Sequence, residues 1–288
     1  MSASRAAGLL PALALVFNAF TWGLSWYPLR LLQGAGVHAL WATTLIYVVA
    51  VAVIGLHQPR AIGQVLRTPA LWVLVLASGT TNASFNWAMT LGDVVRVVLL
   101  FYLMPLWTVL LARVLLHERL TPMALLRVAL ALGGAGIVLW PEGGAGLPLP
   151  RSLSDWLAVG GGFSFALNNV MLRREAARSP AARGLAMFSG GAAVSALLAL
   201  SVGAPGLPAL APGWVAGSLL LALWFLGGNL ALQYGASRLP ANATAVIMIS
   251  EVLFASGSAL LLGAGTLTPA LALGGSLIVL AALLAARG

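Results

Sequence analysis

The chain has 288 residues, of which 61% are hydrophobic and 7% charged, with a mean hydropathy of +1.01. An ordinary soluble domain carries about 25% charged residues, so a water-facing surface of that kind is excluded and most of this surface must lie in lipid. The net charge of +9 comes from 15 arginines and no lysine against six acids; the arginines sit singly or in small clusters between apolar runs, with no basic stripe among aromatics, which excludes a nucleic-acid partner.

Taken in chain order, apolar runs near the ~20 residues that a membrane span needs predict helices over 8–29, 37–57, 70–91, 95–116, 122–140, 153–173, 183–203, 212–236, 241–263 and 267–286. The first run follows one arginine, as in a signal peptide, but lacks a small-residue cleavage site and is read as a retained helix. The shortest link is 91–96 (LGDVVR); the best marked are the Pro-Gly loops 141–150 and 203–213. There is no cysteine, hence no disulfide framework and no thiol chemistry. Ten spans put both termini on one side. With the N-terminus inside, twelve arginines fall inside and three (Arg30, Arg96, Arg151) outside, a bias that predicts cytoplasmic termini.

The chain also repeats itself. FTWGLSWYPLR at 20–30 returns as FSFALNNVMLR at 163–173, shifted by 143 residues, and LMPLWTVLLARVLLHERLTP at 103–122 returns at 250–269 as SEVLFASGSALLLGAGTLTP, shifted by 147. The expected organisation is a first five-helix repeat over 1–140, a connecting loop over 141–150 and a second repeat over 151–288. Five is odd, so the second copy must enter the membrane upside down. The fold class is thus an all-α membrane protein of about ten transmembrane helices, as two inverted five-helix repeats around a central cavity near the midplane.

Intramembrane polar residues follow the duplication. Thr21 and Ser25 share a face of helix 1 and correspond to Ser164 and Asn168 on helix 6; Asn82 and Asn86 on helix 3 correspond to Asn229 and Gln233 on helix 8. Facing lipid they would lack partners, so they should face inward. Singly, each suits interhelical hydrogen bonding; as a duplicated set they predict a water-accessible site. Asn18 would extend the helix 1 face. Trp22 (partner of Phe165), Trp87 (partner of Tyr234) and Trp107 are candidate cavity walls. Other tryptophans near helix ends fit interfacial belts.

Glu251 alone among the acids falls within an apolar segment, about ten residues into helix 9, where a carboxylate is costly unless protonated, paired or wetted. It is the candidate for proton coupling or contact with a substrate amine, against a structural pairing; its repeat partner is Met104. Pro105 in helix 4 frees a carbonyl and allows a gate hinge or a fixed kink. No enzymatic, phosphate-binding or metal-ligand motif is present, so no catalytic residue, cofactor or metal is expected, and transport would be driven by gradients.

The stretch 103–139 (LMPLWTVLLARVLLHERLTPMALLRVALALGGAGIVL) in this ten-helix pattern resembles the EamA-type branch of the drug/metabolite transporter superfamily. That family's repeat commonly has a Pro-containing helix, a Glu at the next helix end, a Leu-Thr-Pro and a Gly-rich last helix; Pro105, Glu118, Leu120-Thr121-Pro122 and Gly133-Gly134 fit. In the second copy Glu251 matches the acid that often opens the fourth-helix motif, while Val252 and Gly265 depart from its Pro and loop Glu. FTWGLSWYPLR and NWAMTLGDVVRVVLLFYLMPLWTVL are similar to the aromatic amino-acid exporter group. The resemblance implies export of amino acids and related metabolites from the cytoplasm, through a cavity ringed by helices 1–4 and 6–9, with 5 and 10 peripheral. Small four-helix multidrug relatives use a Glu in helix 1; this helix 1 has no acid, which leaves facilitated exchange and coupling through Glu251 both open.

The expectation is therefore a secondary transporter, not an enzyme, working by alternating access in a bacterial-type cytoplasmic (inner) membrane, functional as a monomer, its partners a small-molecule substrate and the bilayer. A multidrug or purine/metabolite exporter of the same fold is the alternative. An anion carrier would need a midplane cation, and a non-transporting scaffold would have no need of duplicated inward polar pairs.

Overall fold

A computed structural model of the chain describes residues 2–115, 117, 121–140, 147–236, 238 and 247–286, with the side chains of residues 2–8, 105, 233, 236, 285 and 286 outside that description. The first part of the connecting loop (141–146, with Glu142), Glu118, Arg119, Leu120 and residues 241–246 of the ninth expected span also lie outside it. The described residues are all-helical, with no strand among them. In chain order they form α1 (Ser2–Leu24), α2 (Trp26–Gly34), α3 (Ala39–His57), α4 (Pro59–Arg67), α5 (Pro69–Leu91), α6 (Val94–Phe101), α7 (Met104–Leu115), α8 (Pro122–Val138), α9 (Leu153–Arg174), α10 (Pro180–Ser201), α11 (Pro212–Ala236), α12 (Ser250–Leu261) and α13 (Pro269–Ala286).

Local chemistry sets where these helices start. Pro opens α4, α5, α8, α10, α11 and α13, where its missing N–H costs nothing. The hydroxyls of Thr121, Ser152, Ser179 and Thr268 accept from the backbone N–H three residues on, the usual N-cap bond. The Thr-Pro pairs at 121–122 and 268–269 are thus a cap followed by a first helical residue in both halves.

Among the described residues, five helical stretches are long and apolar enough to cross a bilayer: Leu9–Gly34, Ala39–His57, Val94–Leu115, Pro180–Ser201 and Pro212–Leu232. The α4–α5 pair makes a sixth if counted as one bent span, and α8, α12 and α13 are apolar but shorter. The chain is a multi-pass helical membrane protein. Four expected spans need correction. The first continues to Gly34 across a break at Ser25. The third is preceded by a separate amphipathic helix, α4, turned 101° from α5, where a loop was expected. Its Ala61 and Val65 are buried while Ile62 and Leu66 stay exposed, the pattern of a helix lying in the membrane interface. The fourth breaks at Tyr102–Leu103, and the described part of the ninth breaks at Ile249.

Helix packing follows the small residues. A Cβ on Gly190 would run into the Val75 carbonyl, and one on Gly79 would meet Val194 and the Gly190 carbonyl, so α5 and α10 touch backbone to backbone, running parallel. Gly134 and Gly274 meet each other's carbonyls where α8 crosses α13. Gly228 of α11 seats Thr21 of α1, and Gly235 seats Leu15, an antiparallel pair. Gly23 lies against Glu251, Phe254 and Ala255, and Trp26 Nε1 donates to Ser258 Oγ at 2.9 Å, so α1 and α12 run parallel.

One end of the bundle is tied shut by polar contacts. Asp93 accepts from the Arg96 N–H (3.0 Å) and from the Thr266 N–H and hydroxyl (2.7 and 3.2 Å). Arg96 makes a forked ion pair with Asp155 (2.8 and 3.0 Å) and donates to the Val138 carbonyl (2.7 Å). Arg30 caps the end of α5 through the Met89 and Gly92 carbonyls (3.0 and 2.5 Å). The short link at 91–96 therefore joins the first half of the chain to the second at Asp155 and at Thr266. Beyond it lies an open depression of about 590 Å³ lined by Arg30, Gln33, Thr90, Asp93 and Thr266.

Candidate substrate cavity

The centre of the bundle holds a cavity of about 120 Å³. Its wall takes Asn18 and Trp22 from α1, Tyr47 from α3, and Ser78, Thr81, Asn82 and Phe85 from α5. Phe101 comes from α6, Phe165 and Asn168 from α9, Met187 and Phe188 from α10, Asn229 and Leu232 from α11, and Met248 and Glu251 from the α12 region. Four pairs on this wall are separated by the repeat shifts: Trp22 and Phe165 by 143 residues, and Asn82 and Asn229, Phe85 and Leu232, and Phe101 and Met248 by 147.

Aromatic rings form the wall toward the tied end. Phe101 packs on Phe85 at 4.6 Å and on Phe165 at 5.4 Å, and Trp22 meets Phe225 edge-on at 4.6 Å. Across the cavity Tyr47 stacks on Phe188 at 5.6 Å and donates its hydroxyl to Asn82 Oδ1 at 2.5 Å. Asn82 Nδ2 is held by the Ser78 carbonyl (2.8 Å) and hydroxyl (3.3 Å), so its amide is fully oriented by protein. Asn229 Nδ2 donates to the Phe225 carbonyl at 3.0 Å. Asn18 Nδ2 donates to the Gly228 carbonyl at 2.7 Å, leaving its Oδ1 without a protein partner; Asn168 Oδ1 is likewise without one. A buried acceptor left unmatched costs about 1–3 kcal/mol, so two such atoms on one cavity wall are an arrangement that a ligand can relieve.

Glu251 sits in the first turn of α12, just past the break at Ile249, rather than midway along a continuous helix. The Tyr102 hydroxyl, at the break between α6 and α7, donates to its Oε2 at 3.2 Å and approaches the Met248 carbonyl at 3.5 Å. The two breaks, at 102 and 249, are 147 residues apart and touch each other. Among the described wall residues no Arg, Lys or His faces Glu251. Membrane proteins commonly form ion and substrate sites at such interrupted helices.

The structure divides the sequence-expected residues. It brings together at the cavity Trp22, Asn82, Asn168, Asn229 and Glu251, with Asn18. It places Thr21, Ser25, Asn86, Trp87, Trp107, Ser164 and Tyr234 elsewhere. Thr21 bonds back to the Phe17 carbonyl and packs on Gly228; Ser25 bonds to the Trp22 carbonyl at the α1–α2 break. Asn86 ties α5 to α3 through Thr43 Oγ1 at 3.1 Å, with both residues fully buried. Trp87 lies edge-on to His38, Trp107 to Phe163, and Tyr234 stacks under Arg238 at 3.9 Å. Ser164 is buried away from the wall. Pro105 is the second residue of α7, directly after the break, and Gln233 lies on α11; the side chains of both are outside the described residues. The wall residues that sequence reasoning missed include Tyr47, Ser78, Thr81, Phe85, Phe188 and Leu232. Ser78, Thr81, Asn82 and Phe85 have the i, i+3, i+4, i+7 spacing of one helix face, a signal available before any coordinates.

Comparison with known proteins bears on this arrangement. Residues 9–140 match the model of the EamA-like transporter family, which supports a place in the drug/metabolite transporter superfamily and a membrane transporter of small molecules. The match ends before the second half begins. Among solved structures, a crystal structure of a protein aligns over 98% of this chain and 96% of its own, with a TM-score of 0.56 and 22% identity; at that identity the likeness is one of fold. No curated protein matches the chain.

Proposed function

We propose that the chain is a secondary transporter that exports amino acids, aromatic ones among them, and related metabolites by alternating access across a bacterial-type cytoplasmic (inner) membrane. It works as a monomer with both termini in the cytoplasm, built from inverted repeats over 1–140 and 151–288 joined by the 141–150 loop. The observation that carries this reading is the central cavity, whose wall mixes buried amides, aromatic rings and one carboxylate and draws paired positions from both halves. A polar head and an apolar or aromatic body are what such a wall accommodates.

Helix packing supports the inverted repeat. Exchanging the two halves turns the α1–α11 contact into α5–α9, α1–α12 into the contacts of α9 with α6 and α7, and α3–α11 into α5–α10. The α3–α10, α8–α13 and α6–α12 contacts map onto themselves. At ~30 Å³ per water the cavity holds about four waters, well below the ~300 Å³ at which ligand sites begin. Substrate entry therefore requires the helices to part, and the polar ties around Asp93, Arg96 and Asp155 favour parting at the opposite end. A multidrug or purine exporter of the same fold is the second reading, favoured by the extent of the aromatic wall.

The test is flux. Protein reconstituted in liposomes should accumulate labelled phenylalanine or tryptophan by counterflow, and an imposed pH gradient should change the rate if Glu251 couples protons. No flux of any amino acid defeats the substrate assignment; flux indifferent to the gradient removes the coupling role of Glu251.

A further inference from the structure

Two buried amide oxygens at the cavity wall have no partner. Asn18 is fully buried, and its bond to the Gly228 carbonyl fixes the amide, since a carbonyl can only accept; Oδ1 must then point away from that carbonyl, where it has no partner. Asn168 is 2% exposed; its Nδ2 reaches Asn169 Oδ1 at 3.4 Å, and its own Oδ1 is also unmatched. Glu251 supplies a carboxylate contacted by the Tyr102 hydroxyl. Donors on the same wall already reach protein acceptors: Asn82 gives both N–H groups to Ser78, Tyr47 gives its hydroxyl to Asn82, and Asn229 gives one of its two N–H groups to Phe225. The described wall has two amide oxygens without a partner, one carboxylate and no cation.

We propose that the cavity selects its substrate by a protonated amine. Glu251 is the counter-ion, the Asn18 and Asn168 oxygens take the remaining N–H groups, and the aromatic wall holds an aryl or alkyl body. A primary ammonium carries three donors and no acceptor, and aromatic faces add cation–π attraction. A carboxylate on the same wall meets Glu251 as a like charge and finds no cation. This rests on the transport reading above and narrows it: arylalkyl amines are the substrate class, and amino acids are the members that carry a tolerated carboxylate.

The test uses purified full-length protein in nanodiscs and three ligands sharing one phenyl group: phenethylamine, phenylalanine and 3-phenylpropionate, titrated calorimetrically. Phenethylamine should bind at least as tightly as phenylalanine, and 3-phenylpropionate at least about tenfold more weakly than either, a gap of ~1.4 kcal/mol. Glu251→Gln should erase that preference. Should Glu251→Gln fail to fold, Asn168→Leu serves instead and should weaken the amine several-fold while leaving the acid unchanged. Equal or tighter binding of 3-phenylpropionate overturns the proposal, as does a preference that survives Glu251→Gln in folded protein, or amine binding unmoved by Asn168→Leu. Failure of all three ligands to bind defeats the aromatic-substrate reading itself, whereas binding that favours the acid defeats only the amine assignment.

Discussion

Asn82 and Asn86 carry the same side chain one turn apart on α5, yet they do different things. Each residue advances the helix face by about 100°, so a four-residue step leaves a 40° offset, and the two amides point toward different neighbours. Asn82 reaches the cavity and Tyr47, whereas Asn86 reaches Thr43 of α3. Replacing Asn86 with Leu should lower thermal stability by about 0.6–1.7 kcal/mol, the span found for hydrogen bonds between membrane helices, with the KM of the surviving protein unchanged. Replacing Asn229 with Leu should do the reverse, lowering flux at little cost to the unfolding temperature. Calorimetric or fluorescence melting beside counterflow separates the two, and a KM shift in Asn86→Leu with no loss of stability would reverse their roles. Sequence made the polar inventory of the membrane interior legible, because an amide in lipid needs a partner whatever its neighbours are. Phase around each helix was not legible from one four-residue pair. It needed the longer face through Ser78, Thr81, Asn82 and Phe85, and it sent Thr21 and Ser164 away from a cavity that Trp22 and Phe165, one residue on in each copy, line.

At the level of the helix, capping and interruption carry the duplicated signal. Thr121-Pro122 and Thr268-Pro269 start α8 and α13 by the same cap, so that motif was readable as a local rule as well as a family mark. The breaks at Tyr102–Leu103 and Ile249 were less readable: Pro105 marks the first, but no proline or glycine adjoins the second. Helix α4 escaped notice because nine residues with two arginines and a glutamine look like a loop in hydropathy. Only the adjacency of 61–62 and 65–66 betrays its apolar face. Backbone contact between α5 and α10 gives a sharp expectation. Gly190→Ala drives a methyl into the Val75 carbonyl and should cost about 1–3 kcal/mol by overpacking. Gly133→Ala on α8 has open space around its Cβ and should be neutral or gain up to ~1 kcal/mol. Melting temperatures of the two variants in one detergent check this; equal effects would mean that the α5–α10 contact is looser than the structure has it.

Across the whole molecule, composition alone excluded a soluble fold, and two of the pairs read from the repeat shifts, Trp22 with Phe165 and Asn82 with Asn229, lie on the cavity wall. The tied end and the contracted cavity were not foreseen, since they depend on how Asp93, Arg96, Asp155 and Thr266 come together across the two halves. Together they describe a bundle closed at the end bearing those ties, with an amide-lined space at its centre, as one state of a transporter. The central claim is that substrate passes through this space. Because the chain has no cysteine, Leu232→Cys places a single thiol on the cavity wall, on the half away from the tied end. Reaction of that thiol with a small membrane-permeant alkylating reagent in proteoliposomes should abolish amino-acid counterflow, and saturating substrate should slow the reaction several-fold. Full counterflow after complete alkylation, or a reaction rate indifferent to substrate, would contradict the account.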